Sequence, residues 1–228
     1  MKLSILIPVY NERDTLGEIL RRVRAVPLPV EREIVVVDDG SDDGSRELLE
    51  QLRGPDLRIL SHAANCGKGR AIRTGLTAVT GDFVIIQDAD LEYDPQDYML
   101  LLQPLLDRRA DVVYGSRFLG GPHRVLLFWH YVGNKAFTLL TNILYNINLN
   151  DMGTCYKVFR ADVLKDMVLR SDRFGFEAEV TAKICKRHHR IYEVPVSYSG
   201  RTYEEGKKIT WKDGFSYLWC LLRYRFAD

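Results

Sequence analysis

Four short apolar segments, each ending in polar residues and separated by amphipathic stretches, constrain this chain more than any other feature. Residues 3–9 precede a helical pattern over 15–26, residues 33–37 precede one over 45–52, and residues 57–60 precede one over 68–79. Residues 83–87 close the series. Segments apolar on both sides, as Ile34-Val35-Val36-Val37 is, read as strands of a parallel sheet with helices on both faces. Ligands of such sheets lie beyond the carboxyl ends of the strands. The polar residues found there, Pro8-Val9-Tyr10-Asn11-Glu12, Asp38-Asp39-Gly40-Ser41 and Asp88-Ala89-Asp90, are therefore expected to share one crevice.

The pattern changes after Pro95. A helix over 96–108 leads to a strand over 111–117, and residues 125–149 then carry Phe128, Trp129, Tyr131, Phe137, Leu140 and Ile143 among His130, Asn134, Lys135 and Asn142. That segment fits one or two helices that either pack on the core or lie in a membrane interface, where aromatic rings and Lys favour the headgroup zone. Its polar residues exclude a spanning helix. A strand over 154–159, a helix over 161–168, a helix over 177–187 and a strand over 190–194 follow. Residues 200–209 are too charged for a core and read as a mobile loop, and a final amphipathic helix covers 211–225. The expected organisation is a single domain, 1–228, with a nucleotide-binding half over 1–95 and an acceptor half over 96–228.

Lys+Arg 32 against Asp+Glu 31 leaves a net charge of +1, which gives no overall field for nucleic acid. Cys66, Cys155, Cys185 and Cys220 are widely spaced, as in a reduced cytoplasmic protein. No signal-peptide pattern and no run of about 18 apolar residues occurs. The expected location is therefore cytoplasmic, either soluble or peripheral on the membrane face.

Asp88 and Asp90 stand at the end of an apolar run, two apart, so in extended chain both carboxylates project to one side. Hard oxygen donors of this kind suit Mg²⁺ or Mn²⁺ bearing a diphosphate, with Glu92 as a further candidate ligand. The phosphate loop Gly-x-x-x-x-Gly-Lys-Ser/Thr is absent, and so is a Gly-x-Gly-x-x-Gly turn after the first strand.

Ile7-Pro8-Val9-Tyr10-Asn11-Glu12, Val36-Val37-Asp38-Asp39-Gly40-Ser41, Asn65-Cys66-Gly67-Lys68-Gly69 and Asp88-Ala89-Asp90, in this order, resemble a family 2 inverting glycosyltransferase of GT-A fold. Gly115-Ser116-Arg117 and the interfacial-type segment after it narrow the resemblance to the dolichyl-phosphate mannose or glucose synthase branch. The resemblance implies an α/β GT-A fold with a mainly parallel central sheet, amphipathic helices in the second half, and transfer of a hexose from GDP-mannose or a UDP-sugar to a polyprenyl phosphate. It also implies site roles. Pro8, Tyr10 and Glu12 frame the nucleoside and Asp39 bonds the base. Lys68, Asp88 and Ala89 meet the diphosphate, with Asp90 at the metal. Arg117 holds the acceptor phosphate, and Asp151 serves as base or acceptor-orienting group. Apart from the resemblance, Arg201, Lys207 and Lys208 on the charged loop are candidates to close over the same charge. Related sequences carry Met-Glu-Thr where this chain has Met152-Gly153-Thr154, which leaves Glu177 and Glu179 as competing candidates for the base. A hydroxyl acceptor on a glycan or small molecule, or a nucleotide-sugar-binding adaptor without turnover, are the alternatives. A membrane-protein partner is compatible with each.

Overall fold

A computed structural model describes all residues except 126, 203, 207–210 and 228, and of 211–213 the backbone alone. Seven strands, β1 (Lys2–Val9), β2 (Glu31–Asp38), β3 (Leu57–Ser61), β4 (Phe83–Ile86), β5 (Val112–Ser116), β6 (Lys157–Arg160) and β7 (Ile191–Pro195), form one sheet in the order β3-β2-β1-β4-β6-β5-β7. All neighbours pair in parallel except β6, which runs antiparallel to both β4 and β5. The expected α/β class and mainly parallel sheet are both present.

Alternation along each strand builds two cores. Leu3, Ile5, Ile7 and Val9 of β1 face one side, where they meet Leu16, Ile19, Leu20 and Val23 of α1 (Arg13–Ala25) and Leu101, Leu102 and Leu105 of α4 (Tyr98–Leu106). The short α2 (Ser45–Gln51) adds Leu49. Leu6, Val35, Val37, Val84 and Ile86 face the other side, against Ala71 and Ile72 of α3 (Lys68–Leu76) and Phe176, Val180 and Ile184 of α7 (Phe176–Lys186). Each fully buried aliphatic side chain contributes about 1.5–3 kcal/mol. Close packing of α3 depends on Gly75, where a Cβ would lie 2.1 Å from Leu6 Cδ1.

Three elements differ from the sequence reading. The strand expected from residue 154 starts at Lys157, because Thr154 Oγ1 donates to the Gly115 carbonyl at 2.6 Å and holds residues 151–156 as a loop across the sheet edge. The helix expected over 161–168 ends early as α6 (Ala161–Lys165). The segment over 125–149 forms one helix, α5 (Phe128–Tyr145), which buries only Thr138 and Thr141 fully. Pairing with α8 (Trp211–Phe226), it leaves Phe128, Trp129 (78% exposed), Leu139 and Ile143 in solvent, beside Phe215, Trp219 and Phe226. Among the described residues no helix is long and apolar enough to cross a membrane. All four cysteines are free thiols.

Candidate active site

The parallel register places Val9 beside Asp38, and Asp38 beside Ser61, so the loops after β1, β2 and β3 open at one edge of the sheet. There they meet the loop after β4 and form a cavity of about 910 Å³. Pro8, Tyr10, Glu12, Asp39, Lys68, Asp88, Ala89, Asp90, Glu92, Arg117 and Arg201 all line it. Residues far apart in the chain are thus brought to one crevice by the carboxyl-edge rule. Asp151 does not reach the lining, and Lys207 lies outside the described residues.

Asp39 is almost fully buried and accepts the backbone N–H groups of Cys66 and Gly67 and a ring N–H of His62. Gly67 adopts φ +99°, and a Cβ there would lie 2.4 Å from the Asp172 carbonyl oxygen, so only glycine fits this turn. Asp39, His62 and Cys66 bring ligand atoms within 4.8 Å of one another, but both His62 ring nitrogens already have hydrogen-bond partners.

Lys68 begins α3 and reaches Asp88 at 2.6 Å, Cys155 Sγ at 3.1 Å and Glu177 at 3.3 Å. Burial works against its charge, yet Asp88 and Glu177 outweigh burial and hold its pKa well above the ordinary lysine value. Burial likewise opposes ionisation of Asp88, and Lys68 reverses the balance, so the Asp88 pKa lies below normal. Asp90 has the opposite balance. Burial, then the charges of Asp88 and Glu92, push it up to about 7. Arg201 sits across this cluster, 2.8 Å from Asp90, 3.3 Å from Glu12 and 3.6 Å from Glu92. Its Nε is buried without a hydrogen-bond partner.

A divalent cation fits these residues. The donors are hard carboxylate oxygens, Asp88, Asp90 and Glu92 line one cavity, and the buried Arg201 Nε beside them has no hydrogen-bond partner. Asp88 and Asp90 are the pair that would hold the metal. Glu92 reaches the cluster, but its oxygens accept from Tyr198 Oη and the Arg201 backbone N–H, both at 2.7 Å. It braces the 198–201 segment as well as adding charge.

Across Tyr198 from Glu92, Arg117, which follows β5, is held in a fork. Nε and Nη2 each donate to Asp151 at 2.7 Å, the Arg117 backbone N–H donates to Asp151 at 3.0 Å, and Nη2 also reaches Asn134 of α5 at 3.2 Å. Burial opposes the guanidinium charge, and Asp151 more than restores it. Asp151, expected as base or acceptor-orienting group, is fully buried with both oxygens on Arg117, an arrangement that orients the arginine and leaves no carboxylate oxygen free to act as a base. Gly153 lines the cavity beside this pair, where a Cβ would be 3.7 Å from Arg117 Nη2 and 2.7 Å from Asn134 Oδ1. The missing acidic side chain thus places no further carboxylate against Arg117, which lies over the rings of Phe118 and Tyr198 where it lines the cavity. Of the competing candidates, Glu179 is tied to the Arg170 and Ser171 backbone and to Lys183, a structural role. Glu177 is buried between Lys68 and Tyr217 of α8.

Sequence reasoning missed His62, Tyr198, Tyr217 and Lys157. Lys157 is buried and donates to the carbonyls of Met152 and Thr154, which fixes the loop that carries Asp151; burial lowers its pKa to about 8. Its place in Cys155-Tyr156-Lys157-Val158-Phe159, a charge in an otherwise apolar strand, was the available signal. His62, one residue beyond β3, had none beyond that position.

Comparison with known proteins agrees with this geometry. The family model described as Glycosyl transferase family 2 matches residues 4–168. An undecaprenyl-phosphate mannosyltransferase of Micrococcus luteus is 31% identical over 224 residues, covering 91% of this chain and 87% of the relative. Glucosyl-3-phosphoglycerate synthase of Mycobacterium tuberculosis, crystallised with Mn²⁺, UDP and phosphoglyceric acid, superposes with a TM-score of 0.76 at 18% identity, over 100% of this chain and 79% of that one. A mycobacterial protein superposes with a TM-score of 0.79 at 19% identity, over 100% and 76%. At these identities the two structures establish the GT-A-like fold.

Proposed function

The chain belongs to glycosyl transferase family 2, and from that premise we propose that it moves a hexose from a nucleotide-diphosphate sugar to a polyprenyl phosphate with the help of a divalent metal. That it is a glycosyltransferase rests on the family match and the mannosyltransferase relative. The acceptor class comes from that relative's activity, and the observation that carries it to this chain is Arg117. Its cation is held charged and in a fixed fork by Asp151 and lines the cavity, as a clamp for one phosphate requires.

The residues divide the work along the cavity. Asp39 takes the base, Tyr10 and Glu12 flank the nucleoside, and Lys68 with Arg201 receives negative charge from the diphosphate. A metal at Asp88 and Asp90 would stabilise charge on the departing nucleoside diphosphate. An acceptor phosphate held by Arg117 is already anionic and needs no base. That requirement matches the site, because Asp151, Glu177 and Glu179 all have their carboxylates engaged.

Beyond the clamp the cavity is lined by Trp129, Phe137, Phe174, Phe215, Tyr217 and Leu218, an apolar exit suited to an isoprenoid chain. Most come from α5 and α8, whose outer faces expose Phe128, Ile143, Trp219 and Phe226 with Arg223 and Arg225 nearby. This face is proposed to rest on the cytoplasmic leaflet, so that the lipid phosphate enters without its tail crossing water.

The test is transfer from labelled GDP-mannose, UDP-glucose or UDP-N-acetylglucosamine to short-chain polyprenyl phosphate, with Mn²⁺ or Mg²⁺. Lipid-phase label lost with EDTA and in Arg117→Met is expected. Metal-dependent hydrolysis of a donor with no lipid product would overturn the acceptor and move it to a hydroxyl compound. Sedimentation with anionic vesicles tests the docking face, which Trp129→Ala with Trp219→Ala should weaken.

A further inference from the structure

Asp39 is enclosed more tightly than reading a nucleobase by itself requires. Its Oδ1 accepts the Nδ1–H of His62 at 2.6 Å and the Cys66 N–H at 3.0 Å, and its Oδ2 accepts the Gly67 N–H at 2.7 Å. A carboxylate offers about four lone-pair positions, so a single position, on Oδ2, is left for a ligand in the cavity that Asp39 lines. Because a carboxylate only accepts, the hydrogen of the 2.6 Å contact is on Nδ1. Nε2 stands 2.9 Å from Thr74 Oγ1 of α3, which fixes the ring from its far side. The two amide donors are equally fixed, since Gly67 is locked against Asp172, and Gly40, at φ +74°, has the backbone of Ala64 and Asn65 within 3 Å of where a Cβ would be.

We infer that His62 makes Asp39 a single-acceptor reader of the donor's base, so that the chain selects uridine diphosphate sugars over guanosine diphosphate sugars. The inference deepens the nucleotide-sugar reading above and rests on it. Uracil offers a carboxylate one imino N–H, which matches one open position. Guanine presents an imino N–H and an adjacent amino group, and a carboxylate meets both only with two open oxygens. With Oδ1 filled by His62 and Cys66, Asp39 has no acceptor left for guanine's second donor. A hydrogen-bonding site discriminates strongly on that basis. Cytosine and adenine place a lone pair where the imino hydrogen would be and are repelled outright. His62 is thus a positioning residue for specificity and touches no reacting atom.

Titration calorimetry of the full chain with UDP and with GDP, each in Mn²⁺, tests this. Wild type is expected to bind UDP roughly ten- to a hundredfold more tightly, the range set by one unsatisfied donor. His62→Ala opens Oδ1 and should bring the ratio toward unity, while His62→Asn, whose amide N–H can stand where Nδ1–H does, should keep it. Should His62→Ala not fold, His62→Leu, which withdraws the same Nδ1–H while filling more of the ring's space, should shift the ratio the same way. Equal or tighter GDP binding by wild type overturns the inference and leaves the donor-site reading standing, as does an unchanged ratio in a folded His62→Ala or His62→Leu. Binding of neither nucleotide overturns both.

Discussion

Replacing Asp151 with asparagine should destabilise the protein more than it alters the shape of the site. The Arg117–Asp151 pair is 9% and 0% exposed and makes three hydrogen bonds, at 2.7, 2.7 and 3.0 Å. An asparagine oxygen in the place of Oδ2 keeps two of them. Its amide then points hydrogens at Arg117 Nη2, so one charge-assisted bond and the whole counter-charge are lost. Breaking a buried pair from one side costs about 3–5 kcal/mol. Unfolding entropy of about 2.1 cal/mol/K per residue, over 228 residues, converts this to a fall in Tm of about 6–10 °C, readable by calorimetry. Removing both charges, with Arg117→Met and Asp151→Leu together, leaves no stranded cation and should be less destabilising than Asp151→Asn alone. The double variant should still bind nucleotide, since Asp39 and Lys68 lie on other elements, but fail to transfer sugar to lipid phosphate. An Asp151→Asn protein melting within about 2 °C of wild type, or a double variant less stable than the single one, would refute the idea that Asp151 serves chiefly as the counter-charge of Arg117.

Asp90, pushed up to about 7, ties metal binding to pH: below pH 7 a cation must displace a proton, so Mn²⁺ affinity by calorimetry should fall about tenfold per pH unit. For metal-free stability the sign is reversed. A carboxyl pKa raised by folding favours the folded state fully below about pH 4, and that contribution is lost as pH rises through 7, so Asp90→Asn should flatten the fall in Tm between pH 5 and 8. Because Arg201 already bridges Asp90, Glu12 and Glu92, Arg201→Gln should bind Mn²⁺ about tenfold more tightly without nucleotide, and unchanged or weaker binding would count against Arg201 as the substitute cation. Gly75→Ala, which drives a Cβ into Leu6, should cost about 1–3 kcal/mol in urea unfolding while leaving nucleotide affinity intact.

The alternation of strands and helices made the first half legible, because its parallel strands are buried on both faces and their polar ends mark one edge. Asp39 and Asp88 followed from that rule, while Arg117 came from the family resemblance. Orientation was not legible. Asp151 reads as a free acid in Asn150-Asp151-Met152, and only the three-dimensional path of residues 151–156 turns it under Arg117. Glu92 likewise lies in register with Asp88 and Asp90, yet its partners Tyr198 and Arg201 come from more than 100 residues downstream. His62 escaped notice because its role depends on the number of hydrogen bonds Asp39 already holds, and pairing across loops leaves no periodic trace.

The reversed strand β6 has an engineering consequence. Tyr114 of β5 stands directly opposite Lys157 of β6, so the chain from Arg117 to Tyr156, which carries the guanidinium clamp, α5 and the loop with Asp151, leaves the sheet and returns to it at nearly one point. The stretch is therefore a cassette between two fixed anchor points. Exchange with the matching stretch of a relative, Cys155 being kept because it meets Lys68, should change which acceptor is served and preserve the nucleotide half, a modularity that a parallel strand at this position, entering from the opposite edge, would not allow.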